Sequence, residues 1–239
     1  MLGDGEFNIQ KTDDGIEVWV TKMGGYMNMN TAWIDRSEGI VAIVDPFDSV
    51  RWVSALKEEG LRPTHLLYTH THRDHVEGYN EMIRIIPEIE VWGHADASVS
   101  GLLSFPVFKK VDFTYEWRNE PNTTVPWNCG RINLQITHSP GHAPGHVTIH
   151  GHGVYHAGDL LFTAHSGRVD LPGSDPSAQW ESLRYARKLL LKLPKEWRLI
   201  PGHRYDWIDG TTPDWVSIDE ALRYNFTLNS PILQQLEED

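Results

Sequence analysis

Four side chains that can bind a metal ion lie within six consecutive residues, in the segment Thr69-His70-Thr71-His72-Arg73-Asp74-His75. The segment follows an apolar run and precedes a predicted helix, so we expect a loop at the end of a strand. A helix would point His70 and His72 to different faces, whereas in such a loop they can converge on one cation. Asp74 and His75 are adjacent and suit a second cation close by. Imidazoles and a carboxylate are typical ligands of Zn²⁺ or a similar metal ion.

Three further side chains that can bind a metal ion come directly after a glycine, at the ends of predicted strands: His142, Asp159 and His203. Glycine lets the backbone bend closely around a site because it has no side chain to obstruct the turn. Each of these signals is weak alone. Together with the first segment they supply seven potential ligands, enough for two cations and a shared water molecule.

The elements that must position these side chains are predicted from hydrophobic patterning. Short apolar or alternating runs predict strands at residues 18–20, 32–34, 40–44, 65–69, 89–92, 132–136, 147–150, 153–156 and 198–200. Helical spacing predicts helices at 49–60, 76–86 and 177–193, with Gly60 and Pro194 as stop signals. We predict a hairpin turn at 151–153 and irregular structure around Pro106, Pro121 and Pro126. Strands and helices in this order fit a layered α/β domain.

The ligand motifs resemble those of the metallo-β-lactamase superfamily in their order and context. The matching motifs are His70-Thr71-His72-Arg73-Asp74-His75, Gly141-His142, Gly158-Asp159, Pro201-Gly202-His203 and, at the end of a predicted strand, Asp45. The resemblance implies a four-layer αββα sandwich over residues 1–205, with the metals at one edge of the paired sheets. Residues 206–239 would then form a short, partly helical C-terminal extension.

The same resemblance implies how the seven ligands divide. One metal would be held by His70, His72 and His142, and the other by Asp74, His75 and His203. Asp159 would bridge the two metals, and Asp45 would support the site without binding metal.

Within the superfamily, the segments 139–146 and 167–173 are most similar to the type II glyoxalases, which hydrolyse hydroxyacylglutathione thioesters. This resemblance implies a metal-dependent hydrolase with two divalent ions, zinc first and iron or manganese as alternatives. A metal-bound hydroxide would attack the thioester carbonyl. Asp74 and Asp159 would be catalytic as well as ligating, since Asp74 can orient the nucleophile and Asp159 holds the metals together.

Three more residues are expected near the substrate. His165 lies in the segment after Asp159, which should pass close to the metals, and Tyr205 follows His203 closely enough to form part of a pocket wall. Arg168 is expected to brace the loop beside the site together with Asp170. The remaining histidines outside the motifs are interpreted as structural or solvent-facing.

Other functions stay open on the sequence alone. Persulfide dioxygenases of the same fold use one iron on a set that would correspond to His70, His142 and Asp159, and a lactonase would use the same motifs. The acidic segment after His203 has only Arg204 and Arg223 as cations, whereas type II glyoxalases have a longer, basic helical region there. A non-catalytic metal-binding module is a further alternative.

The composition narrows the class of partner. A formal net charge of −12 over 239 residues argues against a nucleic-acid-binding surface, which needs cations to displace counterions. The single cysteine, Cys129, cannot form an intrachain disulfide, and no run is as long and apolar as a membrane span or signal peptide. We therefore expect a cytoplasmic protein with a small-molecule substrate and no membrane partner, and a homodimer remains open.

Overall fold

The computed structural model describes residues 1–98, 101–231 and 233, and two β-sheets run through most of this chain. The first sheet contains seven strands in the spatial order β1 (Phe7–Lys11), β2 (Glu17–Met23), β3 (Asn28–Asp35), β4 (Ile40–Val44), β5 (His65–Leu67), β6 (Glu90–His94) and β7 (Tyr115–Trp117). The second contains six, in the order β13 (Val216–Ser217), β12 (Arg198–Pro201), β11 (Val154–Gly158), β10 (Val147–Gly151), β9 (Ile132–His138) and β8 (Thr124–Cys129).

Within the described residues, four α-helices cover the outer faces of the two sheets. They are α1 (Ser49–Glu58), α2 (Tyr79–Ile85), α3 (Pro176–Lys192) and α4 (Ile218–Tyr224). Asp48 and Asp175 accept hydrogen bonds from the first backbone N–H groups of α1 and α3, which otherwise lack partners, so both helices begin at a capping aspartate. Short 3₁₀ turns lie at Ala95–Ser98 and Leu102–Ser104.

Strand alternation builds three hydrophobic layers. On β2, Val18 and Val20 face the second sheet, where they pack with residues such as Ile136 and Ile149, while Trp19 faces α1 and α2. A third cluster lies between the second sheet and the helices α3 and α4. Because side chains alternate across a strand, one strand contributes to two layers. The predicted α/β fold, a four-layer αββα sandwich, is confirmed.

The carboxyl ends of the ligand-bearing strands meet at one edge of the sandwich. Strands β4 and β5 run parallel in the first sheet, as do β11 and β12 in the second. Strand β9 has the same direction as β11, since both are antiparallel to β10. The loops that leave these strands therefore emerge together, although the strands are far apart in sequence.

Several elements differ from the sequence-based predictions. The stretch predicted to be irregular contains β7 and β8, and β8 includes Pro126. This proline is tolerated because β8 is the edge strand of its sheet, where a missing N–H breaks no inner ladder. Strands β1 and β13 were not predicted either; both are edge strands, and β1 is largely polar.

The segment after residue 205 contributes to the core in its described part. Val216, Ile218 and Ala221 are buried in the cluster that also contains Leu183 and Leu190 of α3. Residues 232 and 234–239 of the predicted extension 206–239 lie outside the described residues. Within the part of the chain that is described, no helix is long and apolar enough to cross a membrane.

Candidate metal centre

The first set of facing side chains consists of three buried histidines. Nδ1 of His72 lies 3.1 Å from Nε2 of His70 and 2.9 Å from Nε2 of His142. His70 and His72 come from the loop after β5, and His142 comes from the loop after β9. All three side chains therefore direct a ring nitrogen at a common point, as metal ligands must.

The ring nitrogens of His142 and His70 that point away from the centre form hydrogen bonds, and these bonds hold the opposite nitrogens towards the centre. Nδ1 of His142 donates to the carbonyl oxygen of Arg168 at 2.8 Å, which leaves the lone pair of Nε2 directed inward. The Nδ1 atom of His70 lies 3.0 Å from Oγ1 of Thr69. Such partners determine the tautomer and hold the ring orientation of a metal-binding histidine.

The second set combines a carboxylate with two more histidines. Nε2 of His203 lies 3.2 Å from Nε2 of His75 and 3.2 Å from Oδ2 of Asp74. Nδ1 of His203 donates to the carbonyl oxygen of Tyr26 at 2.9 Å, so its Nε2 atom is the one that faces inward. The Asp74 side chain is a quarter exposed, and it is the ligand candidate most open to the cleft.

The Asp159 carboxylate lies between the two sets. Its Oδ1 atom is 3.3 Å from Nε2 of His75 in the second set, and its Oδ2 atom is 3.4 Å from Nε2 of His142 in the first. Oδ2 is also 3.5 Å from Nε2 of His203. The structure thus brings together all seven side chains that the sequence predicts as ligands, with the predicted bridging residue in the middle.

The ionisation behaviour of the first set suits cation binding. Burial lowers the pKa of His72 to about 3, with a further contribution from His142. Burial also holds the pKa of His70 well below its usual value. Neutral imidazoles whose lone pairs face one another at about 3 Å lack a hydrogen to share, and a cation between them satisfies all three. The donor set therefore fits a metal ion.

The second set behaves differently because carboxylates surround it. Burial disfavours the charged form of His75, but Asp159 and Asp74 outweigh this effect and raise its pKa to about 10. The pKa of His203 is raised well above its usual value in the same way. Positive charge is thus strongly favoured here, and a divalent ion can supply it in place of the protons.

Asp45 supports the centre from behind. Its carboxylate accepts hydrogen bonds from the backbone N–H of Thr69 and from Nδ1 of His75, both at 2.8 Å, and from the Thr69 hydroxyl. It has a positive φ of 48°, a conformation that Asp tolerates better than most residues. Asp45 thereby joins the end of β4 to the loop after β5 and directs Nε2 of His75 at the site.

Three residues beside the ligands were not identified from the sequence. Nδ2 of Asn28 donates to Oδ2 of Asp74 at 3.1 Å, and Oε1 of Gln179 accepts from the backbone N–H of His142 at 2.9 Å. His146, interpreted as structural from the sequence, accepts from the backbone N–H of Asp159 through Nε2 at 3.0 Å. A contact between residues so distant in sequence gives no local signal, although His146 belongs to the same Pro-Gly-His pattern as His142.

A cavity of about 1150 Å³ opens onto the centre. Tyr205, His165 and Arg168 line it, and the Tyr205 ring stacks on His203 at 5.4 Å with an interplanar angle of 14°. Phe162 contributes an apolar wall against the Tyr205 ring at 4.8 Å. The side chain of Arg168 pairs with Asp170 through two hydrogen bonds, of 2.6 and 2.7 Å, so these two residues brace each other.

A further group of histidines lies away from the cavity. The rings of His94 and His138 stack at 3.6 Å, with Asp96 nearby. Backbone groups contact all four ring nitrogens: the carbonyls of Asn119 and Pro144 and the N–H of Asp96. These contacts explain the cluster as a structural link between loops.

Two sets of three side chains that could hold a metal ion lie at one edge of an αββα sandwich, with the Asp159 carboxylate between them. The family model described as the metallo-beta-lactamase superfamily matches residues 26–203. This chain belongs to that superfamily.

The individual relatives described next have low sequence identity to this chain. The hydroxyacylglutathione hydrolase of Alkalilimnicola ehrlichii is 33% identical over 178 residues, which cover 74% of this chain and 62% of that protein. The chain thus spans less than two thirds of the length of this curated relative. The crystal structure of TTHA1623 in a di-iron-bound form has a TM-score of 0.63 and 27% identity, covering 86% of this chain and 98% of that one. ETHE1 from Myxococcus xanthus has a TM-score of 0.66 at 21% identity, over 97% of this chain and 91% of its own, and shows the shared fold.

Proposed function

We propose that this protein is a metal-dependent hydrolase that cleaves a thioester of the hydroxyacylglutathione type. The observation that carries the proposal is the position of Asp159, whose carboxylate lies 3.4 Å from His142 of the first set and 3.3 and 3.5 Å from His75 and His203 of the second. A carboxylate in this position can ligate both ions of a hydrolytic centre, which lie about 3.5–4 Å apart in two-metal sites.

Two divalent ions are proposed, zinc first, with iron or manganese as alternatives. One would be held by His70, His72 and His142, the other by Asp74, His75 and His203, with Asp159 between them. When bound, such ions acidify a shared water molecule and polarise the scissile carbonyl. The di-iron form of TTHA1623, at 27% identity, supports two metals in a relative of this chain.

Asp74 is the residue best placed to orient the attacking water. Its Oδ2 atom is held by Asn28 and lies beside His203, while the side chain is partly exposed to the cleft. Asp74 can therefore accept a hydrogen bond from water on the cleft side without leaving its position. Thiols have pKa values near 8.5, so a thiolate is a good leaving group and needs little protonation as it departs.

The thioester part of the proposal is supported by the relatives. Curated proteins that match over about three quarters of this chain are named hydroxyacylglutathione hydrolase. The cavity also has room for a substrate of that size, since ligand sites commonly measure about 300–1,000 Å³.

The test is hydrolysis of a hydroxyacylglutathione thioester by the metal-loaded protein. Release of the free thiol is measured in the presence and in the absence of oxygen. We expect oxygen-independent turnover that falls by at least about a hundredfold in His72→Ala and Asp159→Ala, because each removes a ligand. Asp13→Ala, at an exposed position, serves as the matched control and should keep wild-type activity.

The assay also separates the alternative enzyme. A single iron on His70, His142 and Asp159 would support persulfide oxidation instead. Oxygen uptake with a glutathione persulfide, in the absence of thioester hydrolysis, would overturn the proposal. Near-wild-type thioester turnover by Asp159→Ala would overturn it as well.

A further inference from the structure

Two arginines, Arg73 and Arg168, line the cavity beside the metal centre. They differ in whether an acidic side chain pairs with the guanidinium. Arg168 donates to both carboxylate oxygens of Asp170, so its positive charge is already neutralised. Arg73 forms no ion pair with a carboxylate in the described part of the chain. Glu77, an acidic residue that also lines the cavity, lies 3.7 Å from Lys109.

Arg73 is held in place by hydrogen bonds rather than by an acidic partner. Its backbone N–H donates to the carbonyl oxygen of Val107 at 2.8 Å. Its Nε and Nη2 atoms both donate to the carbonyl oxygen of Pro106, each at 3.2 Å. One edge of the guanidinium is thereby fixed, and the edge that carries Nη1 makes no hydrogen bond to residues 1–98, 101–231 or 233.

A fixed guanidinium with a free edge is suited to bind a carboxylate. The planar fork of Arg matches the two oxygens of a carboxylate, and prior ordering reduces the entropy lost on binding. An arginine without an acidic partner is notable in this chain, because acidic residues outnumber basic ones and the formal net charge is −12. In the C-terminal segment, Arg223 pairs with Asp219 and Arg204 with Asp214, so neither is a free cation for the cavity.

We propose that Arg73 is a specificity-determining residue that binds a carboxylate of the substrate, at the mouth of the cavity and apart from the scissile bond. The proposal rests on the proposed hydrolase function and narrows its substrates to anionic thioesters. Arg73 lines the same cavity as His72 and Asp74, so a carboxylate bound to Arg73 would hold the rest of the substrate in that cavity.

The test compares two glutathione thioesters that have the same acyl group. One keeps the free carboxylates of glutathione, and the other has both carboxylates esterified. In Arg73→Met we expect KM for the anionic thioester to rise about tenfold, which corresponds to 1.4 kcal/mol, with kcat within about twofold. KM for the esterified thioester should stay unchanged, since methionine keeps the apolar stem but not the charge. In Arg73→Lys, KM for the anionic thioester should lie between the values for the wild type and for Arg73→Met.

Controls separate charge recognition from structural damage. Arg62→Met removes a surface arginine that pairs with Glu88, and it should leave both KM values at the wild-type level. Raising the salt concentration should increase KM for the anionic thioester in the wild type and much less in Arg73→Met, because salt screens the charge pair. Equal losses on both thioesters would show a structural role only and overturn the proposal.

A binding measurement keeps this inference distinct from the hydrolase proposal. Titration calorimetry of the zinc-loaded protein with an S-alkyl glutathione, which cannot be hydrolysed, and with its diester needs no turnover. Weaker binding of the free acid, but not of the diester, in Arg73→Met supports the role of Arg73 even if neither thioester is cleaved. Unchanged binding of both ligands contradicts it.

Discussion

The ligand side chains are oriented by hydrogen bonds to atoms outside the two ligand sets. His75 is held by Asp45, His142 by the carbonyl of Arg168, and His203 by the carbonyl of Tyr26. Each partner leaves one ring nitrogen directed at the centre. The orientation of these three side chains, and with it the affinity for a metal ion, therefore depends on residues outside the two ligand sets.

His146 is the most informative of these supporting residues. It is fully buried, with Nδ1 3.1 Å from Oγ of Ser139 and Nε2 accepting from the backbone N–H of Asp159. In His146→Leu the N–H of Asp159 loses its partner, and we expect metal affinity to fall by about 10–100-fold. In His146→Gln an amide oxygen can replace the acceptor, so part of the affinity should return. Chelator competition measures both values, and equal affinities in wild type and His146→Leu would contradict this role.

At the scale of elements, the start of α3 packs directly on the loop that carries His142. Gly141 has a φ of +141°, and a Cβ atom there would come within 2.2 Å of Cα of Gln179. The same Gln179 side chain accepts the backbone hydrogen bond of His142. The close approach of helix and loop thus positions a ligand.

We predict that Gly141→Ala separates α3 from this loop and destabilises the fold by about 2 kcal/mol or more, because the clash involves backbone atoms. Metal binding by the first ligand set should weaken at the same time. Gly101→Ala is the matched control, since a Cβ atom there meets nothing within 4 Å. Urea unfolding and chelator competition report the two effects. Wild-type values for Gly141→Ala in both would show that the contact is unimportant.

A second link joins the two sheets at the opposite side of the molecule. The carboxylate of Asp35, at the end of β3, is fully buried and accepts hydrogen bonds from Arg131, including 2.7 Å from Nη2. Arg131 follows β8, so the pair ties the first sheet to the second. The Arg131 hydrogen bonds hold the pKa of Asp35 well below its usual value of 3.8.

We predict that Arg131→Met lowers the free energy of unfolding at neutral pH, because the buried Asp35 carboxylate loses side-chain hydrogen-bond donors. A depressed pKa adds stability that is complete above the ordinary pKa and disappears as the pH falls towards the folded value. The difference between wild type and Arg131→Met should therefore be constant above about pH 5 and shrink below about pH 4. Urea unfolding across this range gives the curve. A difference that grows on acidification would contradict the assignment.

The sequence indicates the inner strands more clearly than the edges of the sheets. Strands β4, β9, β10 and β11 have strong apolar patterns because one or both faces are buried, and all were predicted. Strand β8 was missed because Pro126 normally argues against a strand, and only its edge position makes it tolerable.

The candidate site, like the fold, was only partly predictable from the sequence. Its seven candidate ligands could be named from the sequence because ligand-type side chains, glycines and strand ends occur together there. Their partners were not, because Asn28 and Gln179 are brought to the site by sheet and helix packing across 46 and 37 residues. Arg73 was visible within the motif, but its free guanidinium edge depends on the position of Pro106 in the folded chain.

At the scale of the whole molecule, two sheets each supply part of one centre. The first sheet contributes His70, His72, Asp74 and His75 from a single loop, and the second contributes His142, Asp159 and His203 from three strand ends. The two halves must dock for either ligand set to be complete, since each set takes residues from both sheets. Metal binding should therefore stabilise the sandwich as a whole.

The most direct test of the proposed centre is the number of metal ions bound per chain. Protein dialysed against zinc and then freed of excess metal should contain two zinc ions per chain by elemental analysis, and Asp159→Ala should contain fewer. A parallel dialysis against iron or manganese compares the occupancy reached with each metal. Two ions per wild-type chain would support the arrangement of seven ligands around Asp159. One ion or none, in protein that remains folded, would contradict it.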